Sequence, residues 1–253
     1  MHSSRKGPGA FKERLRLFDA PSLRSHTGGL RCVFCEAHVP AKNDLIAFRS
    51  RETNERFFWR KQKMSIVLAS GSPRRKELLE MLGVRDLVVL PAKGEEKAAE
   101  GLGPAELVMA LASHKAREVE ALRPAEDVIV AADTIVWHHG RVFGKPRSER
   151  EAAEMLRGLS GDTHEVYTGV SVIRNRRELL RADCSRVRFR ALSEREIAAY
   201  IQSGEPMDKA GAYGAQGKAA LFVEHIDGDF FNVMGLPLCM LGQMLNEQGV
   251  ELL

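Results

Sequence analysis

Residues 66–83 read Ile-Val-Leu-Ala-Ser-Gly-Ser-Pro-Arg-Arg-Lys-Glu-Leu-Leu-Glu-Met-Leu-Gly, a short apolar strand that turns through small residues into a helix opening on two arginines. Such a junction is suited to an anion. Ser72 is placed to cap the first turn, Pro73 takes the position that needs no N–H, and the free amides of the turn point outward. Arg74 and Arg75 add guanidinium forks that match phosphate oxygens. Cations at a helix N-terminus oppose the helix dipole, so a counter-charge is expected above them.

Further along, Asp133 closes the apolar run Val-Ile-Val-Ala-Ala and is followed by Thr134. An ionised carboxylate there is costly unless it meets a metal or a basic group, although a turn-capping Asp is an equal reading of the residues alone. Glu95 and Glu96 offer oxygens for a hard cation, or simply form an acidic loop. Lys115, Lys145 and Lys209 lie beside turns or strand ends, where convergence with the arginines would clamp a polyphosphate. In residues 208–217, Asp-Lys-Ala-Gly-Ala-Tyr-Gly-Ala-Gln-Gly, the glycines allow close backbone approach, Tyr213 stacks or packs, and Gln216 has an amide able to read a base edge. Phosphate grip, carboxylate and amide reader together point to a nucleoside triphosphate.

The elements that must position these groups alternate as strand and helix from Ser65 onward, an α/β sheet with packed helices. Strands are expected at 66–70, 87–90, 127–132, 166–173, 179–189 and 219–226. Helices are expected at 73–82, at 104–122 with Leu107, Leu111, Ala112, Val119 and Leu122 on one face, from the Ser148-x-x-Glu151 and Ser193-x-x-Glu196 capping boxes, and from Pro237. Hairpin turns fall at His139-Gly140 and Asn175-Arg176.

Of 253 residues, 44% are hydrophobic and 28% charged, enough for a full core. No run approaches a membrane span, the N-terminus lacks the apolar stretch of a secretory signal, and the four cysteines have no disulfide spacing. A cytoplasmic protein is expected. Residues 1–63 hold 14 Lys and Arg against 6 Asp and Glu, whereas the rest holds 24 against 28. Basicity therefore belongs to the extension, and a nucleic-acid reading from overall charge would rest on the wrong segment. The extension lacks sustained periodicity and reads as disordered; Cys32-x-x-Cys35 with His26 and His38 nearby matches no common zinc spacing. Met64 stands directly before the first strand, so translation is expected to begin there or the extension to be dispensable.

The blocks Leu-Ala-Ser-Gly-Ser-Pro-Arg-Arg, Ala-Asp-Thr-Ile-Val, Gly-Lys-Pro, Leu-Ser-Gly-Asp-Thr-His, Asp-Lys-Ala-Gly-Ala-Tyr-Gly-Ala-Gln-Gly and Asn-Val-Met-Gly-Leu-Pro-Leu, in this order over residues 64–253, closely resemble the Maf family of nucleoside triphosphate pyrophosphatases. The resemblance implies a mixed twisted sheet with flanking helices in two lobes around a nucleotide cleft, of the Maf/ITPase-like kind. It implies hydrolysis of a nucleoside triphosphate to monophosphate and pyrophosphate, with a divalent cation, Mg²⁺ or Mn²⁺. It places the general base on Asp133 and substrate discrimination on Arg74, Thr134 and Gln216. Phosphate and metal contacts fall on Ser70, Arg75, Glu96, Lys115 and Lys145, with Lys209 beside them and Asp133 shared with the metal. Arg, Thr and Gln at the discriminating positions resemble the branch acting on dTTP and UTP, not the 7-methyl-GTP branch with its inserted Trp. A role in clearing modified nucleotides and in cell-division arrest goes with the resemblance, as does a homodimer. A nucleotide-sensing regulator of septum formation with little catalysis is the alternative, disfavoured by the presence of Asp133; a nucleic-acid binder driven by the extension is a further one. Neither nucleic acid nor membrane is an expected partner of the 64–253 domain.

Overall fold

The computed structural model describes residues 64–94 and 101–253, and the backbone of residues 45–49 and 56–60. The chain divides into two units at Lys61/Gln62. In the first, β1 (Leu45–Arg49) and β2 (Arg56–Arg60) pair antiparallel, a ladder that the aperiodic sequence did not announce. The Cys32-x-x-Cys35 segment and Glu95–Glu96 lie outside the described residues.

The second unit is built on a seven-stranded mixed sheet. Its spatial order is β4 (Val88–Val89), β3 (Ile66–Leu68), β5 (Val128–His138), β7 (Thr163–Arg174), β8 (Arg177–Phe189) and β9 (Val223–Asp227), with β6 (Arg141–Phe143) paired to the far half of β5. β4, β3 and β5 run parallel, and the remaining pairings are antiparallel. Helices α1 (Pro73–Met81), α2 (Pro104–Glu120), α3 (Glu149–Leu159), α4 (Glu194–Gln202), α5 (Phe230–Met234) and α6 (Leu238–Glu247) flank it. Among the described residues, no helix is long and apolar enough to cross a membrane.

The period-two alternation of the central strands divides the core. Ile66, Leu68, Val128, Val130 and Ala132 pack with Leu78 and Leu79 of α1 and Leu241, Met244 and Leu245 of α6. Val67, Ala69, Ile129 and Ala131 pack with Ala116 and Val119 of α2 on the opposite face. Beyond Asp133, Val136 of the same β5 joins another core with Leu156 of α3, Val166 of β7, Phe189 of β8 and Ile197 of α4. One strand thus serves two lobes, and Asp133 and Thr134 stand where it passes between them.

Several sequence expectations are corrected. The strand expected to stop at Ala132 continues to His138, because β7 and β6 satisfy its backbone after β3 has left. Residues 218–221 form a 3₁₀ turn rather than the start of the last strand. Leu122 lies beyond the end of α2 and is exposed, and the inward face of that helix is Val108, Leu111, Ala112, Ala116 and Val119. Ser72 makes no side-chain cap. At α3, Ser148 accepts from the Glu151 N–H, but the Glu151 carboxylate takes the Arg147 N–H, so only half of the expected capping box forms; the box at Ser193 and Glu196 is complete.

Candidate active site

The parallel pairing of β3 with β5 ends at Leu68 opposite Val130. From there β3 turns through Ser70 and Gly71 into α1, while β5 runs on with Asp133 opposite Gly169 and Thr134 opposite Thr168 of β7. The difference in strand length opens a cavity of about 800 Å³, within the range of small-molecule sites. Ser70, Arg74, Arg75, Lys115, Asp133, Thr134, Lys145, Lys209 and Gln216 all line it. Every described residue that the sequence marked for this chemistry is brought to one place, although these residues span five separate stretches of chain; Glu96 lies outside the described residues.

Asp133 is buried, and its Oδ1 accepts from Lys115 Nζ at 2.5 Å. Lys115 comes from α2, which covers the sheet face to which Asp133 is turned. α2 lies close enough because residue 169, beside Asp133, is glycine: a Cβ there would stand 2.3 Å from the Val108 carbonyl oxygen. The basic group that the burial of Asp133 demanded is therefore Lys115.

Arg75 does more than offer a fork to an anion. Its Nε donates to the Gly235 carbonyl at 2.8 Å, Nη1 to Ser70 Oγ at 3.0 Å and Nη2 to Thr134 Oγ1 at 3.0 Å. Three segments that meet at the cavity are joined by one planar group, and Thr134 is held further by Thr168 Oγ1 at 2.9 Å. Arg74 instead faces Asp208 at 3.6 Å, a cavity-lining carboxylate that the sequence reading left without a role. Burial pushes the Asp208 carboxyl up, but the Lys209 hydrogen bond and the charges of Lys209 and Arg74 outweigh it and leave it below the usual range. Its signal was adjacency to Lys209, whose Nζ bonds both Asp208 Oδ1 and the Glu205 carbonyl.

The glycine-rich segment is held by its neighbours. The Lys209 stem passes so near Gly214 that a Cβ there would lie 2.8 Å from it. Glu205 accepts from Tyr200 Oη and from the Lys218 N–H, bracketing Gly217, whose φ of 115° suits glycine. Tyr213 packs edge-on against Phe189 and His164, and its hydroxyl lies 2.7 Å from His164 Nε2. Burial lowers the His164 pKa to about 3, so this imidazole is neutral and part of the core. Gln216 and Lys145 remain exposed at the rim.

Among the described residues, five cationic side chains against two carboxylates, Asp133 and Asp208, line this cavity, a balance suited to a polyanion. The two carboxylates are also the oxygen donors that a hard divalent cation accepts, and one ion pair does not exhaust the lone pairs of Asp133. The donor set fits such an ion.

Residues 65–248 match the model of the Maf-like protein family. The chain belongs to that family. Among curated relatives, a dTTP/UTP pyrophosphatase of Bacillus cereus (strain ATCC 10987) is 47% identical over 187 residues, covering 74% of this chain and 91% of the relative. A dTTP/UTP pyrophosphatase of Clostridium tetani is 45% identical over 193 residues, covering 75% of this chain and all of the relative. Among solved structures, that of a HAM1 protein from Coxiella burnetii is similar at 18% identity and a TM-score of 0.41, covering 73% of this chain and 99% of the other. In this Maf-like protein the site elements, from β3 to α5, all fall within the matched residues.

Proposed function

We propose that this Maf-like protein hydrolyses dTTP and UTP to the monophosphate and pyrophosphate. The observation that carries the reading is the meeting of Asp133 with Arg74, Arg75, Lys115, Lys145 and Lys209 around one cavity. The choice of nucleotide rests on the curated relatives, named for dTTP and UTP, and on Arg74, Thr134 and Gln216 at the positions marked for discrimination.

In this proposal the triphosphate lies along the basic wall formed by Arg75 and Lys145. Asp133, oriented by Lys115, takes a proton from the water that attacks the α-phosphorus. The bond to the bridging oxygen breaks, and the cationic side chains stabilise the charge gathering on the departing pyrophosphate. A Mg²⁺ or Mn²⁺ ion held by Asp133 would supply further neutralisation of phosphate charge. Thr134 and Gln216 contribute the polar contacts that distinguish the base, Gln216 through its amide. A cytoplasmic setting belongs to the proposal, supported by the free thiols of Cys184 and Cys239.

The test is pyrophosphate release from dTTP and UTP by the wild type and by Asp133→Asn. The expected result is release by the wild type and a kcat lowered by roughly 10²–10⁴ in the variant, with KM little changed. Near-normal turnover in the variant would remove Asp133 from the role of base.

A further inference from the structure

Outside the cleft, His138, His139 and Asp162 bring three ligand-type atoms within 4.8 Å of one another. His138 ends β5 and is buried; His139 and Gly140 form the two-residue turn into β6, both with positive φ, 48° and 78°. Asp162 lies on the other side of the cluster, in the junction between α3 and β7. His138 Nε2 lies 3.0 Å and His139 Nε2 2.8 Å from the same oxygen, Asp162 Oδ2, while Oδ1 accepts from the Thr163 N–H at 2.7 Å. The rings are tilted by 50° with centroids 4.0 Å apart, so both nitrogens converge on the carboxylate.

We infer that His138, His139 and Asp162 form a binding site for a borderline divalent cation of the Zn²⁺ class, separate from the nucleotide cleft. Two imidazoles and one carboxylate are a donor set for Zn²⁺, Co²⁺ or Ni²⁺ rather than for the all-oxygen cation of the cleft. Bonds of about 2.0–2.2 Å to a tetrahedral ion place neighbouring ligand atoms about 3.4 Å apart. The observed nitrogen–oxygen separations need to widen by only about half an ångström. With the ring proton on Nδ1, each imidazole presents its Nε2 lone pair to the ion. His139 and Asp162 are 74% and 43% exposed, which leaves an approach for the ion and room for water as a fourth ligand.

None of the three residues lines the nucleotide cavity, but Val142, Gly144 and Lys145, just past the turn, do. A bound ion ties the β5–β6 turn to the α3–β7 junction and thereby braces the hairpin that delivers Lys145. The site is thus structural, and its existence does not depend on which nucleotide the cleft takes.

The experiment is a Zn²⁺ titration of the chelator-treated full chain by calorimetry, with thermal unfolding in parallel. Comparison proteins are His139→Ala, Asp162→Asn and a Cys32→Ser/Cys35→Ser variant, the last removing thiolates of the extension that also attract zinc. The expected result is one ion per chain at micromolar affinity with a raised Tm, retained in the cysteine variant. In His139→Ala and Asp162→Asn the affinity falls by at least about tenfold. His139 is exposed, so its replacement leaves a folded protein for the measurement. Zinc binding that persists in both site variants, or that vanishes only in the cysteine variant, overturns the assignment, as does the absence of saturable binding to the wild type.

Discussion

Arg75 shows how one side chain serves both structure and chemistry. Its guanidinium joins Ser70, Thr134 and Gly235, so it sets the shape of the wall against which the phosphates are proposed to lie. Lysine preserves the charge but cannot reproduce three directed bonds. Arg75→Lys is expected to lower stability by about 2 kcal/mol, the scale of a lost charged hydrogen bond, and to reduce kcat/KM as well. Urea unfolding and steady-state turnover check the two effects; wild-type values in both would return Arg75 to a simple surface cation. Residue chemistry was legible in the sequence where a type is rare in its setting, as with a carboxylate at the end of an apolar run or paired arginines in a first turn. Pairing was not legible. Nothing local says that Asp133 meets Lys115 or that Arg74 faces Asp208, because these contacts join segments 18 and 134 residues apart.

At the scale of elements, the site follows from β5 outlasting its parallel neighbour β3 and from α2 lying close over it. Gly169 permits that approach, since a Cβ would meet the Val108 backbone. Gly169→Ala is expected to push α2 and Lys115 away from Asp133, costing about 1–3 kcal/mol by overpacking and lowering kcat more than a remote core change of equal cost. Paired measurements of urea midpoint and kcat on Gly169→Ala and a core variant such as Val187→Ala distinguish the two. The helix starts were readable from Ser148 and Ser193, and the turns from His139-Gly140 and Asn175-Arg176. The length of β5 was not, because its partners β6 and β7 lie later in the chain and Asp133 looked like a terminus. The complete box on α4 carries a pH signature. The Arg190 hydrogen bond, with those from Ser193, lowers the Glu196 carboxyl to about 2, against an ordinary value of about 4.3. Its contribution to stability is present above about pH 4.3 and lost as pH falls toward 2. Glu196→Gln should flatten the acid limb of a stability profile over that window, with unfolding midpoints at each pH as the check; an unchanged slope would mean that the ion pair forms equally in the unfolded chain.

For the whole molecule, the alternating pattern gave an α/β sheet, and β5 explains the two lobes by entering one core before Asp133 and another after it. The family match begins at residue 65, beyond the basic excess of residues 1–63. We therefore expect a chain of residues 64–253 to keep turnover within about twofold of the full chain, the scatter of remote surface changes; any salt-sensitive nucleic-acid binding should depend on the extension alone. A large loss of turnover on truncation would give residues 1–63 a place in the working domain. The proposed reaction is cleavage of dTTP and UTP in the cleft between the α- and β-phosphates. Its most direct measurement is a panel of dNTPs, NTPs and 7-methyl-GTP in which pyrophosphate and orthophosphate are quantified separately. The predicted result is pyrophosphate and monophosphate in equal amounts, fastest with dTTP and UTP; release of orthophosphate instead, or preference for 7-methyl-GTP, would contradict it.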